Sequence, residues 1–245
     1  MKKLIVCILC LASMHGFAQF RLGVQGSFSS LNMWQSDGYG GLPTGLHTEA
    51  MNGFQGGLVG EYDLGYSGLV LQPAVMYAEN GSHFVNTQGF YDTGNETIGL
   101  TDTHLKVYSI RVPINLLFKY ELNSKVRVFI GAGPYVAKNI SGSEKGNIYY
   151  VEDNNNTVEL SRPLNNKAKI NGNTSLATEG ITNITSFDFG ADLLFGASYK
   201  KFDFSISYNR GFSRIYHTSY ANTGNTFWNF TVAYTILGHY RKPKL

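Results

Sequence analysis

The residues best suited to chemistry in this 245-residue chain stand near its end, at His217–Thr218–Ser219. On a strand, positions two apart share a face, so the imidazole could act as base to the serine hydroxyl. A working triad also needs an acid to orient the histidine. Asp203 is the sole acid after Lys200, and it lies at the far end of the preceding strand. The pair is therefore incomplete. His47, His83, His104 and His239 lack metal-ligand spacing. Glu152–Glu159 is rich in oxygen ligands but has no mid-loop glycine and no twelve-residue ligand pattern, so it reads as a solvated loop rather than a calcium loop. Gly131–Ala132–Gly133 is followed by no helix and is no dinucleotide fingerprint. Its glycines are expected to admit inward bulk such as Phe129 and Tyr135. No catalytic residue, cofactor or metal is expected.

The elements that would position these residues are strands. From Tyr108 to Tyr120 the chain alternates: Tyr108, Ile110, Val112, Ile114, Leu116, Phe118 and Tyr120 share one face. Ser109, Arg111, Pro113, Asn115, Leu117 and Lys119 share the other. This is a strand with one apolar and one mostly polar face. It exceeds the usual strand of about 5–6 residues and suits a bilayer, which takes about 9–11 tilted residues. Aromatics stand at both ends of the apolar face, as in membrane barrels.

The ends and the composition agree. Lys2 and Lys3, the apolar run Leu4–Met14, and small Gly16 and Ala18 predict an export signal over 1–18, leaving 19–245 as the mature barrel domain. Cys7 and Cys10 fall inside that signal without a lipidation pattern, so no cysteine chemistry is expected in the mature chain. Without Lys2 and Lys3 the balance is 18 basic against 17 acidic residues, a net +1, with no nucleic-acid footprint. Abundant Gly (28), Tyr (16) and Phe (16), with 15% charged residues, fit a membrane β-barrel.

Eight strands are predicted: Phe20–Leu31, Gly53–Leu64, Gly68–Glu79, Tyr108–Tyr120, Lys125–Lys138, Thr185–Lys200, Phe202–Phe212 and Thr226–Leu237. Tight turns at Gly65–Ser67, Leu122–Ser124 and Lys200–Lys201 alternate with long connections, Asn32–Asn52, Asn80–Thr103, Asn139–Ile184 and Ser213–Asn225. Short periplasmic turns and long external loops are the rule for outer-membrane barrels, so both termini are expected in the periplasm. The fold class is all-β: an eight-stranded antiparallel up-and-down transmembrane barrel.

Eight strands leave an interior that side chains just fill. Glu61, Arg111, Arg127, Asp188 and Asp192 fall inward, so a plugged, salt-bridged lumen is expected. Pro73 and Pro113 each remove a ladder hydrogen bond, and a local bulge is expected there. Among the long connections, Asn139–Ile184 is the best binding candidate, with Tyr149, Tyr150, Arg162 and Lys167 able to meet a protein or glycan.

Five stretches carry a resemblance: LVLQPAVMYAENG (69–81), YSIRVPINLLFKYEL (108–122), VRVFIGAGPYVAKN (126–139), SFDFGADLLFGASY (186–199) and FSISYNRGFSRI (204–215). In order and spacing they resemble the PorT-like outer-membrane β-barrel family, over all but the long loops. The resemblance implies an integral outer-membrane protein without catalytic residues. Its name-giving member serves type IX secretion, so a structural or partner-binding part in secretion or envelope assembly is implied. Expected partners are outer-membrane lipid and lipopolysaccharide, the barrel-assembly machinery, and secretion or envelope proteins. The chain departs from many barrels in ending on Gly238–Leu245, with Arg241, Lys242 and Lys244, rather than on an aromatic. His217 and Ser219 look like the His-x-Ser element of lipid A deacylases, but the downstream Glu is absent and Tyr220 replaces the usual Asn. A lipid A hydrolase and a small-solute pore are the alternatives to the non-enzymatic reading.

Overall fold

The computed structural model describes residues 20–37, 46–65, 68–91, 97–152, 158–170, 181–217 and 221–238. The expected export segment and the basic tail lie outside these residues. Among the described residues, twelve strands form one antiparallel-dominated sheet. In chain order they are β1 (Phe20–Asp37), β2 (Leu46–Glu49), β3 (Met51–Asp63), β4 (Leu69–Tyr91), β5 (Thr97–Glu121) and β6 (Val126–Glu152). They continue as β7 (Val158–Ile170), β8 (Ile181–Ile184), β9 (Phe187–Tyr199), β10 (Phe202–Gly211), β11 (Tyr216–His217) and β12 (Ala221–Leu237).

Eight of these close a ring in the order β1-β3-β4-β5-β6-β9-β10-β12, and β12 returns to β1. The closing register runs from Leu22↔Leu237 to Asp37↔Ala221. Every pairing within the ring is antiparallel. The ring is the predicted eight-stranded barrel, and the apolar face of β5 points outward as expected. Ile114, Leu116, Phe118 and Tyr120 are exposed, while Arg111, Asn115, Leu117 and Lys119 are buried. The step from Tyr108 to Tyr120, tilted by about 45°, rises roughly 28 Å, close to a hydrocarbon core of about 30 Å. The two-residue turn at Lys200–Lys201 is realised, with Lys200 at φ 55°.

Three features depart from the sequence reading. First, the strands do not stop where their outward apolar faces stop. β4, β5 and β6 run on to 23, 25 and 27 residues. The connection read as Asn139–Ile184 is largely strand, because β7 pairs with the distal part of β6 and β8 runs parallel to β7. With β2, β11 and the ends of β1 and β12, these form a second tier above the membrane ring.

Second, neither Pro73 nor Pro113 sits at a bulge. Pro73 faces Ile114 and Pro113 faces Tyr135, and the pairing resumes in unchanged register at Met76↔Arg111 and Leu116↔Ala132. The neighbouring ladder bonds hold the register while the prolines simply contribute none.

Third, the room for Phe129 and Tyr135 comes from the neighbouring strand. Phe129 lies opposite Gly196 and Tyr135 opposite Gly190. A Cβ on Gly196 would stand 2.5 Å from Phe129 Cζ, and one on Gly190 would stand 2.5 Å from Tyr135 Cε1. Gly131 instead faces Leu117.

Overpacking a tight interior costs about 1–3 kcal/mol. Gly196→Val is expected to lower the denaturant midpoint of the detergent-folded protein accordingly, read by tryptophan fluorescence. Ile114→Arg places a charge on the lipid face and should cost about 2–4 kcal/mol in lipid vesicles. Its effect should fall sharply in denaturation measured from micelles, where head groups lie closer.

Candidate functional site

The lumen is built in layers that follow the inward residues of β5. At the short-turn end Lys119 Nζ donates to Glu61 Oε1 at 2.7 Å and to Asp203 Oδ2 at 3.1 Å. Arg21 donates to Glu61 Oε2 through Nε at 3.0 Å and Nη2 at 2.6 Å. Gln72 Nε2 adds a bond to Glu61 Oε1 at 2.9 Å. Glu61 thus joins four strands, and the two cations and two carboxylates balance. Lys119 Nζ also lies 4.9 Å from the centre of the Phe129 ring. Val70, Leu117, Phe129 and Leu194 form an apolar layer next to this cluster.

The second charged cluster centres on Arg111. It donates to Asp192, to Asn209 Oδ1 at 2.6 Å and to Gln55 Oε1 at 3.4 Å. Its guanidinium lies 4.0 Å from the Tyr135 ring centre and 5.0 Å from that of Phe227. Tyr135 donates its hydroxyl to Asp188 Oδ2 at 3.0 Å, and Asn225 Nδ2 donates to the same oxygen at 2.8 Å. Planar guanidinium, ring faces and short amides together suit a buried cation that must lose its water. A void of about 50 Å³, bordered by Gln55, Arg111, Asn115 and Asp192, holds no more than a few water molecules.

Beyond Arg111 the lumen ends in an apolar plug. Met33, Phe84, Leu105, Val107, Ile184 and Ile215 form one buried cluster, with Ile170 packed against it. The plug draws on β1, β4, β5 and β8 and on the segment between β10 and β11, so the second tier roofs the barrel. Thr185 N donates to Ile215 O at 3.0 Å and Ile215 N to Thr223 O at 2.8 Å, which fixes the roof's rim.

Of the five lumen residues expected from sequence, Glu61, Arg111, Asp188 and Asp192 are buried here. Asp188 and Asp192 join the Arg111 cluster and Glu61 the Lys119 cluster. Arg127 sits at the short-turn rim, 3.9 Å from Glu121. Arg21, Lys119 and Asp203 are lumen charges beyond those five, and the alternation that puts Phe20 and Leu22 outward also puts Arg21 inward. Asp203, the sole acid near His217 in sequence, is bound to Lys119 at the opposite end of β10. The His217 backbone pairs with Asn222, while Ser219 lies outside the described residues.

The outer face of the second tier carries a group that linear spacing hides. His83 on β4 faces His104 on β5 and Glu49 on β2. Asp102, on the same face as His104, reaches His83 Nε2 at 2.6 Å.

These features define a class: a closed membrane-spanning β-barrel with a filled interior. The chain belongs to the outer membrane protein beta-barrel domain family, whose family model matches residues 17–217. No curated protein matches the sequence. Among solved structures it is similar to Neisserial surface protein A, at 15% identity and TM-score 0.39, covering 88% of this chain and 97% of that one. OprG of Pseudomonas aeruginosa follows at 9% identity and TM-score 0.43, over 89% and 96%. Ail of Yersinia pestis, solved with the heparin analogue sucrose octasulfate, stands at 13% identity and TM-score 0.37, over 89% and 99%.

Removing one member of a buried ion pair typically costs about 3–5 kcal/mol, because a charge is left unpaired. Glu61→Gln, which takes its carboxylate from Arg21 and leaves Lys119 its bond to Asp203, should therefore destabilise the barrel by about that amount in urea titrations. Adding Arg21→Met should recover part of the loss, since it removes the cation that has lost its carboxylate and leaves Lys119 paired with Asp203. A double variant weaker than Glu61→Gln alone would contradict the shared-hub geometry.

Proposed function

We propose that this protein is a sealed outer-membrane barrel that works by binding partners with its second tier, without enzymatic activity. The observation that carries the reading is the lumen itself. Two charge clusters, an apolar layer and an apolar roof occupy it in succession, so its inward charges are met by one another. The strands meanwhile continue past the membrane band into a hydrogen-bonded platform, which suits recognition. Following the rule that long connections face outward, the platform is external and the termini are periplasmic. Lipid and lipopolysaccharide surround the band, and the barrel-assembly machinery inserts it. Part of the platform is the stretch carrying Tyr149, Tyr150, Arg162 and Lys167, now in the paired strands β6 and β7.

The PorT-like resemblance gives this reading its particular form: a component of type IX secretion or of envelope assembly. The experiment that tests it compares the secreted and periplasmic proteomes of a deletion strain with those of its parent, with membrane integrity controlled. Cargo held in the periplasm while other envelope proteins stay normal is the expected result. Unchanged secretion removes the secretion role and leaves partner capture by crosslinking from the platform as the next test.

The sealed lumen makes a separate prediction. Purified protein in planar bilayers should give no steady single-channel conductance at moderate voltages. Stable, reproducible conductance steps would overturn the sealed-barrel reading in favour of the pore.

A further inference from the structure

We propose that His83, Asp102 and His104 form a binding site for a divalent transition-metal ion of the zinc class, with Glu49 orienting His83. One ligand atom from each of the three lies within 4.8 Å of the others. The site is made by register. Glu49 and His83 are directly opposed on β2 and β4, and His83 and His104 on β4 and β5. The hydroxyl of Ser82, adjacent to His83, stands between β2 and β1, 3.1 Å from Glu49 O and 3.0 Å from Asn32 Oδ1, and shares its one proton between these two acceptors. Thr48 Oγ1 adds a bond to Met33 O at 3.0 Å. The backbone under the cluster is therefore fixed from both sides.

The side chains stand close enough to serve as a ligand set. The two imidazoles stack with centroids 4.1 Å apart and planes at 19°, so the exposed His104 ring turns out of the stack for both in-plane lone pairs to meet one ion. His83 Nε2 points at Asp102 Oδ1, 2.6 Å away, while its Nδ1 is 3.1 Å from Glu49 Oε2. A metal-bound histidine almost always gives its second N–H to a carboxylate or carbonyl, which fixes the tautomer and ring orientation. Glu49 is placed for that task, leaving Nε2 as the ligand atom. Ligand atoms around one tetrahedral zinc ion stand about 3.3 Å apart, given bonds of about 2.0–2.1 Å. Asp102 and His104 are exposed, so their side chains have room to rotate to that separation. Two imidazoles and one carboxylate suit zinc, nickel or copper, whereas magnesium and calcium take oxygen ligands. Three protein ligands leave one position open to water.

The location fits. His83 is six residues beyond Tyr77, whose ring stacks on Tyr108 at 5.9 Å and marks the edge of the apolar band. Six tilted residues place the cluster roughly 14 Å above that edge, in water. Between them Lys106 Nζ pairs with Glu79 Oε1 at 2.8 Å, which already marks an aqueous surface. His47 Nε2, 3.5 Å from Glu49 Oε1, is close enough to lend a further nitrogen to Glu49's side of the site.

The test is calorimetric titration of zinc chloride into the untagged, metal-stripped full chain in micelles. The expected result is one equivalent bound, unaffected by millimolar magnesium. His83→Ala and His104→Ala should each abolish that binding or weaken it at least tenfold. Glu49→Gln should weaken it about 10–100-fold, as loss of an orienting carboxylate does. His217→Ala should leave it unchanged. Absence of zinc binding, or binding that survives in the His83→Ala/His104→Ala double variant, overturns the site. A second measurement needs no variant: cobalt(II) on the unaltered protein should give the intense visible bands of a low-coordinate nitrogen-bound ion. A weak spectrum matching hydrated cobalt would refute it.

Discussion

The hydrocarbon interior of a membrane offers no partner to a backbone N–H or C=O, and everything else in this structure follows from that. The sheet must close, so β1 must find β12 across almost the whole chain. The seam is reinforced from inside: Ser29 Oγ donates to Asn229 Oδ1 at 2.6 Å, and the Ser27 and Thr231 hydroxyls bond at 2.8 Å. Closure at eight strands fixes a bore that side chains fill. A filled bore excludes bulk water, so any charge inside must be met by another charge or by amides. The pairing of Arg21, Lys119, Glu61 and Asp203, and the setting of Arg111 among Asp192, Asn209 and Tyr135, are consequences of closure rather than independent ornaments.

Buried ion pairs add little net stability compared with apolar packing of equal volume. Their value here is in register. Strand side chains alternate with a period of two, so a one-residue slip exchanges the two faces. A slip of β5 would send Arg111 and Lys119 into lipid, where a cation costs about 2–4 kcal/mol at the midplane and less toward the edge of the band, where Lys119 stands. An interior as apolar as the exterior would carry no such penalty. The inward charges therefore specify which of two nearly equivalent pairings the barrel adopts, and the glycines opposite Phe129 and Tyr135 specify it again through size.

The barrel was legible because the membrane enforces alternation on every crossing strand, and the eight predicted segments lie on the eight ring strands. The second tier was not, because there the pattern reverses phase. Below Tyr108 the apolar residues of β5 are outward. Above it Leu105 and Val107 turn inward while Asp102, His104 and Lys106 face out. On β4 the change falls between outward Tyr77 and outward Glu79, and the inward face becomes apolar at Phe84. Outside lipid the sheet obeys the ordinary rule of apolar inside and polar outside. Read as one continuous pattern, the reversal looks like the end of a strand; read as two solvents, it marks the membrane surface. The cross-strand histidines stayed hidden for a related reason. Their adjacency is a matter of register, and register needs the strand limits that the reversal obscured.

The two solvents also divide the labour. Within the band the outer face must be apolar and the lumen is committed to neutralising itself, so neither can offer a ligand to the outside. Above the band the inner face is occupied by the roof of Met33, Phe84, Leu105, Val107, Ile184 and Ile215. What remains free is the outer face of the second tier, where polar side chains cost nothing and the strands below hold them rigid. Glu49, His83, Asp102 and His104 stand there, as does Lys167, exposed on β7. The surface open to a partner is therefore the one where the sheet leaves lipid but keeps its hydrogen-bond ladder.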